Sequence, residues 1–515
     1  MRPFRQSSAA DETRTGLAWA VYPADRTTPV GAFERLRAAG ERCALLESVE
    51  GPAHLARHSF LTVGVDGALR AGPGFATLRL GPEGAPVELA CGPLDALRHA
   101  SLTSRQGAGA GSETHPDLPP FTGGWVGSVA YELAHSLEPT VLPFAPEREP
   151  GAHDVVLDHA SDVVAFDHAA QTLTVVAATR GPDGENRDAR ARIEKIAAGL
   201  AGASATDTAA FRLTDDAARG LTDPAAFLAG VERLQAEIRR GEIFQAVLSQ
   251  AFERTFEGDP FTLYRVLRLV NPAPHMFFFE SDDLTLVGSS PERLVSVQGR
   301  AIELVPIAGT RPRGATTDED VALGVELGRD EKELAEHDML VDLARNDAGR
   351  VARVGTVRVT EHRRLRRFPR VQHLVSRVRA ELAAGRDAVD ALGAAFPAGT
   401  VSGTPKVRAM QLIAEAEGRP RGAYGGAFGY VDRTGDLDLA LCIRTLVCRG
   451  STLRIQAGAG VVHDSEPEKE RLETLAKARA LFEAIELATS PAFGAPDDPG
   501  TVQPNPTAKP AEAIR

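Results

Sequence analysis

Through most of the chain apolar and polar residues alternate over short runs, and between these runs apolar positions recur every three or four residues. Alternation marks a strand with two unlike faces, and the longer period marks a helix with one buried stripe. Phe60-Leu-Thr-Val-Gly-Val65 reads as a strand and 31–40 as a helix, within a sheet-rich stretch from 17 to 100. Strands are expected around 153–166 and 171–178. A helix opens the second half at 223–240, where Phe227, Val231, Leu234 and Ile238 share a face. Strands and helices then alternate to 487, beginning with Phe244-Gln-Ala-Val-Leu-Ser-Gln250.

Four stretches break the pattern. Residues 1–16 are polar and expected to be disordered, 106–120 reads as a loop rich in Gly and Pro, and 198–210 as a linker. The tail, 488–515, is rich in Pro, Ala and Asp and is also expected to be disordered. That leaves one region over 17–205 and a second over 215–487, with no tandem repeat.

Composition narrows the function classes. A chain of 515 residues with 43% hydrophobic and 25% charged residues is a globular protein too long for one ordinary core. Its net charge of −12 argues against nucleic-acid or anionic-membrane partners, so an anionic substrate needs a local cluster of cations. No apolar run approaches the ~18 residues of a membrane span. The N-terminus lacks a signal-peptide core, which makes the cytoplasm the expected location. Cys43, Cys91, Cys442 and Cys448 lack the spacing of a zinc site or disulfide framework.

Candidate chemistry sits in the second half. Pro306-Ile-Ala-Gly309-Thr310-Arg311-Pro-Arg313-Gly314 follows a strand (301–305) and offers N–H groups, a hydroxyl and two guanidiniums to an anion. A helix over 330–343 carries Glu333 and Glu336 beside Leu340 and Leu343. A second, from 466, carries Glu466, Glu470, Glu473 and Lys477 beside an expected apolar stripe of Leu472, Leu475, Ala478 and Phe482. Two such helices facing each other make an oxygen-rich site that suits Mg²⁺ held jointly with a substrate carboxylate. Alone, either helix reads as an ordinary solvated acidic face. Residues 396–410 form a Gly/Thr/Ser turn before a basic helix start, and 421–430 is a small-residue strand. Arg444 falls in a strand expected to be otherwise buried and demands an anionic partner. Gln456-Ala-Gly458-Ala459-Gly460 is no dinucleotide fingerprint, and 399–406 is no P-loop.

In order, these blocks resemble the chorismate-utilising enzymes, and among them the component I (large-subunit) group of anthranilate synthases. The resemblance runs from 17 to 487 and is densest after 240. It implies an α+β fold with two large β-sheets packed centrally and helices outside. It also implies a Mg²⁺-dependent lyase that turns chorismate and ammonia into anthranilate and pyruvate, the first committed step of tryptophan biosynthesis. By motif, Glu336 and Glu473 correspond to the Mg²⁺ ligands, with Glu333 and Glu470 nearby. Gly309, Thr310, Tyr424, Arg444, Gly458, Ala459 and Gly460 correspond to chorismate-binding groups, with Lys477 assisting at a carboxylate. Glu292 corresponds to the acid that helps the C4 hydroxyl leave, His373 to the residue of pyruvate elimination, and Thr400 to a site-lining catalytic residue.

Two positions choose among relatives. Aminodeoxychorismate synthases place a nucleophilic Lys where this chain has Ala308, and isochorismate synthases place a water-activating Lys where it has Gln245. Neither Ala nor Gln does that chemistry, so free ammonia is the expected nucleophile. Leu45-Leu46-Glu47-Ser48 and Asn271-Pro272-Ala273-Pro274-His275-Met276 resemble the family's tryptophan-feedback pocket, with Ala273 and His275 where Ser and Tyr are commoner. The chain shows no glutaminase triad, so the resemblance implies a separate glutamine amidotransferase subunit in a heterodimer or heterotetramer. The alternatives are a 2-amino-2-deoxyisochorismate synthase, an aminodeoxychorismate synthase component I and a non-catalytic tryptophan-binding regulator.

Overall fold

Strands form where alternation predicts them, and their order shows what sequence periodicity cannot. The computed structural model describes all residues except 1, 50–56, 82, 108–114, 150, 180–186, 203–208, 283, 369–370, 491 and 494–515. Among the described residues the strands make two antiparallel sheets, of fourteen and twelve strands, with helices around them. The fold is α+β, as expected.

The first sheet runs Arg5–Gln6, Leu17–Pro23, Thr172–Ala178, Asp162–Asp167, His58–Val63, Leu45–Glu47, His275–Ser281, Leu284–Ser290, Thr445–Arg449, Thr452–Val461, Gln245–Glu257 and Arg212–Leu213. The second runs Ile307–Pro312, Val371–Glu381, Ala301–Leu304, Arg293–Gln298, Leu437–Leu441, Ala427–Asp432, Gly124–Val129, Val155–Ala160, Gly67–Gly72, Phe75–Leu80 and Val87–Leu89. Both sheets draw strands from both sequence regions. Leu46 pairs with Phe277 in one, and Gly127 with Gly429 in the other, so sheet hydrogen bonds cross the boundary near 205–215. The inner faces meet through aromatic side chains. Phe277 of the first sheet stacks on Phe428 of the second at 4.1 Å between centroids, and Phe60 meets Phe121 edge-on.

The N-terminus and the leading edges of the linkers depart from expectation. Residues 1–16 are not disordered throughout: Arg5–Gln6 pairs with Leu17–Pro23, and helix Ala9–Thr15 is closed by a Ser8–Asp11 capping box. The helices Pro93–Gly107 and Arg187–Ala201 reach into the expected loop and linker, whose 108–114 and 203–208 lie outside the described residues. The expected tail falls mostly on 494–515, also outside them.

Two helices carry the acidic candidates. Helix α1 (Glu331–Gly349) starts at Asp330, whose carboxylate accepts from the N–H groups of Lys332 and Glu333. Helix α2 (Pro467–Ala488) buries Thr474, Ala478, Leu481, Ala484, Ile485 and Ala488. The expected stripe holds in part: Ala478 is buried and Leu475 and Phe482 pack against the core, but Leu472 stands in solvent. One small residue per turn lets α2 lie close to strand Thr452–Val461 and helix Phe261–Val270, a choice that hydrophobicity alone does not encode.

Candidate active site

The Gly309 turn is a β-bulge. Ala308 pairs with Leu374 and Thr310 with His373, so Gly309 is the extra residue, and its φ of 71° favours glycine. A Cβ there would lie 3.1 Å from Leu327 and 3.3 Å from Glu333. The bulge turns the Gly309 carbonyl onto His373, 3.0 Å from Nδ1, and the Thr310 hydroxyl lies 3.1 Å from the same nitrogen. Donation from Nδ1–H to that carbonyl leaves the Nε2 lone pair free. Burial holds the His373 pKa below its ordinary value, and the positive Arg444 adds to the effect, so the ring is a neutral base.

Arg311 and Arg313 are taken up by the protein's own carboxylates. Arg311 is occupied by Glu326, Asp330 and Glu333, and Arg313 by Asp320. The carboxylates of the following helices neutralise them, and they brace the bulge instead.

Glu292 is the candidate acid. It precedes strand Arg293–Gln298, and Leu441 N–H donates to its carbonyl at 2.9 Å. Its Oε1 accepts from the Thr400 hydroxyl at 2.8 Å. Burial pushes its pKa up to about 7, against smaller downward effects from Thr400 and Arg444. Arg444 lies not within a strand but in the break between Leu437–Leu441 and Thr445–Arg449, with φ of 49°. That left-handed backbone is uncommon for a side-chain-bearing residue and gathers at functional sites. Among the described residues its guanidinium has no carboxylate within ion-pair distance, although Glu292 lies near enough to favour its charge. Acid, base and an unneutralised guanidinium thus converge.

Gly458 and Gly460 are small because two side chains press on them. A Cβ at Gly458 would sit 2.6 Å from the Tyr424 hydroxyl, and one at Gly460 2.5 Å from the Gln245 amide nitrogen. Gln245 therefore lies beside the glycine strand. Strand alternation sends the Ala459 methyl to the opposite face, where it is fully buried, so only its backbone is available to a ligand. Lys477 is not free either. It donates to the Gly458 carbonyl at 3.0 Å and pairs with Glu473 at 2.8 Å.

The carboxylates of α1 and α2 act on one another. Burial raises the Glu336 pKa, and Glu333 and Glu473 raise it further, against Lys332 and Lys477. Burial and Glu473 likewise raise that of Glu470. Among the described residues no group of three or more His, Cys, Asp or Glu side chains converges as a ready-made metal cage. Mutually repelling carboxylates short of a full cage are the donors of a hard cation that keeps water or substrate oxygens in its shell.

A separate cavity of about 540 Å³ opens between the sheets. Leu46, Ser48, Pro274 and Met276 line it, but Pro272 and Ala273 do not. Those two belong to the exit from helix Phe261–Val270, where Asn271 turns to Ser289 and the Ala273 methyl is buried in the core. Burial pushes the His275 imidazole, also on the wall, down to about 3.

Arg421 escaped the sequence reading. Fully buried, it pairs with Glu417 at 2.6 Å and donates to the carbonyls of Val401 and Val247 at 2.6 and 2.8 Å. It also lies 4.5 Å from the Tyr131 ring and 5.6 Å from that of Tyr424. It ties the Thr400 turn, strand Gln245–Glu257 and Tyr424 together. Its one sequence signal, a Glu four residues earlier, is commonplace on exposed helices.

Such a site, with acid, base, guanidinium and glycine floor between two sheets, defines an enzyme acting on a small anion. The chain belongs to the chorismate-binding enzymes, whose family model matches residues 85–483. It is 43% identical over 472 residues to an anthranilate synthase component 1 from Thermus thermophilus, covering 91% of this chain and 97% of that one. It is 42% identical over 481 residues to that of Mycolicibacterium smegmatis, covering 91% and 90%. The crystal structure of anthranilate synthase component I from Streptococcus pneumoniae superposes with a TM-score of 0.72 at 34% identity, covering 83% of this chain and 92% of that one. A menaquinone-specific isochorismate synthase from Escherichia coli shares the fold at 19% identity, with a TM-score of 0.66 over 92% and 95% of the two chains.

Proposed function

We propose that the chain is the chorismate-converting component of an anthranilate synthase. In this reading chorismate and ammonia yield anthranilate, pyruvate and water, and ammonia comes from glutamine through a separate amidotransferase subunit. The observation that carries it is the placement of Arg444, with no ion-pair partner among the described residues, beside both Glu292 and His373. A dianionic substrate drawn to that guanidinium lies between a proton donor and a proton acceptor.

Glu292, whose pKa burial pushes up to about 7, gives its proton to the departing C4 hydroxyl as ammonia adds at C2. The Nε2 of His373 takes the C2 proton as the C3–O bond breaks and pyruvate leaves. Tyr424, Thr310 and the Gly458–Gly460 strand hold the ring, and Arg444 binds a carboxylate. Glu336 and Glu473, with Glu333 and Glu470 beside them, would hold Mg²⁺, which supplies Lewis-acid binding of a substrate carboxylate when bound. Lys477, which pairs with Glu473 at 2.8 Å, would lie beside that cation and the substrate carboxylate. Ala308 and Gln245 leave the nucleophile's place to ammonia. The inter-sheet cavity is read as the tryptophan site.

The purified chain given chorismate, Mg²⁺ and ammonium should form fluorescent anthranilate, and should use glutamine only after a glutaminase subunit is added. Accumulation of 2-amino-2-deoxyisochorismate in place of anthranilate would overturn the reading in favour of the nearer alternative. Absence of any turnover would leave the regulator.

A further inference from the structure

The inter-sheet cavity and the catalytic acid are one residue apart in sequence. Arg293 lines the cavity, while Glu292 before it turns to Thr400 and Arg444. Successive side chains of an extended segment take opposite faces, so one peptide carries both.

Arg293 is held as a fork. Its Nε donates to Asp438 Oδ1 and its Nη2 to Oδ2, each at 2.9 Å, while Nη1 reaches Glu303 at 3.2 Å. Two parallel bonds fix orientation as well as position. Glu303 also takes Arg377 at 3.0 Å and Arg379 at 2.8 Å. These five residues sit on four adjacent strands of the second sheet and all line the cavity. Two of the strands lead into the chemistry. One begins immediately after Glu292, and the other holds His373 four residues before Arg377. Between Arg293 and Val295 the pairing with strand Leu437–Leu441 slips in a bulge, a point where a strand re-aims its side chains.

The two remaining carboxylates on the cavity wall are engaged elsewhere, and Asp436 accepts from the Gly299 N–H at 2.7 Å. Glu47 accepts from the Tyr264 hydroxyl at 2.6 Å and from Arg268 at 3.1 Å, both on helix Phe261–Val270. A charged ligand in the cavity therefore meets the Arg293 network.

We propose that Arg293 is a positioning residue for Glu292, and that a ligand in the inter-sheet cavity reaches the acid by loosening the Arg293–Asp438 fork. The proposal rests on the functional reading above, with tryptophan as the ligand. A ligand shifts an equilibrium only by interacting differently with its two states. The carboxylate of an amino acid competing with Asp438 for the fork supplies that difference.

The test compares Arg293→Lys and Arg293→Gln with wild type, using chorismate, Mg²⁺ and ammonium. Arg293→Gln should lower kcat by about tenfold or more, as for a misplaced general acid, with KM for chorismate within about threefold. Arg293→Lys should recover part of that loss. Tryptophan should still bind Arg293→Gln by calorimetry yet inhibit it weakly. A loss carried by KM, a Lys variant no better than the Gln variant, or undiminished inhibition would each overturn the proposal. If Arg293→Gln does not fold, Asp438→Asn releases the same fork and carries the same expectations. A wild-type chain that forms no anthranilate overturns the functional reading and this proposal together. An active wild type with variants that behave otherwise overturns this proposal alone.

Discussion

The Thr400 hydroxyl donates to Oε1 of Glu292 at 2.8 Å, and that bond settles which carboxyl oxygen is left to carry a proton. With Oε1 occupied as an acceptor, Oε2 is the acidic position. The bond also favours the ionised form and so works against the burial that raises the pKa to about 7.

The alkaline limb of kcat/KM should accordingly reflect Glu292, with activity falling as pH rises through about 7. Thr400→Val removes a contribution that lowers the pKa and should move this limb to higher pH. Glu292→Gln should cost about 10²–10⁴-fold in kcat. The folded carboxyl binds its proton more tightly than the unfolded one. It therefore favours folding below an unfolded pKa near 4.5, and that contribution is lost as pH rises through about 7. Urea titration of Glu292→Gln should show stability rising relative to wild type from pH 4.5 to 8.

Glu336→Gln and Glu473→Gln should abolish Mg²⁺-dependent turnover with far-ultraviolet circular dichroism unchanged. Calorimetry should show Mg²⁺ affinity reduced in both, because ligation by a hard cation needs the charged oxygen. Near-normal affinity in both variants would remove the metal assignment.

Gly458→Ala should harm binding more than folding. Its Cβ would meet the Tyr424 hydroxyl at 2.6 Å and must displace it. Overpacking of this kind costs about 1–3 kcal/mol. The KM for chorismate should rise, and a Gly458→Ala/Tyr424→Phe double variant should recover part of the lost stability. An unchanged KM in the single variant would place residue 458 away from the substrate.

Ser48→Arg should fill the inter-sheet cavity and relieve tryptophan inhibition while leaving ammonium-dependent turnover intact. Linkage is reciprocal, so in wild type chorismate with Mg²⁺ should weaken tryptophan binding by the factor with which tryptophan weakens theirs, about 5–150-fold. Calorimetry that detects no tryptophan binding to wild type would dismiss the cavity as its site.

The sequence by itself determined the elements and the chemical inventory. Alternation places strands such as His58–Val63 and Gln245–Glu257, and residue type and helical spacing place α1 and α2, because these signals are local. Motif resemblance named Glu292, His373, Arg444 and the acidic helices. Only the tertiary structure decided which groups are free to act. Arg311, Arg313 and Lys477 prove to be engaged by carboxylates of other turns and helices, and Ala459 turns its methyl away from the site. Arg444 proves to lie in a left-handed break between strands, and Arg421 to be a buried tie among three segments. Burial is set by strands hundreds of positions apart in chain order, as Leu46 and Phe277 are. Leu45–Glu47 meets the second half through one sheet and Gly124–Val129 through the other, and no local pattern records which strands will be neighbours.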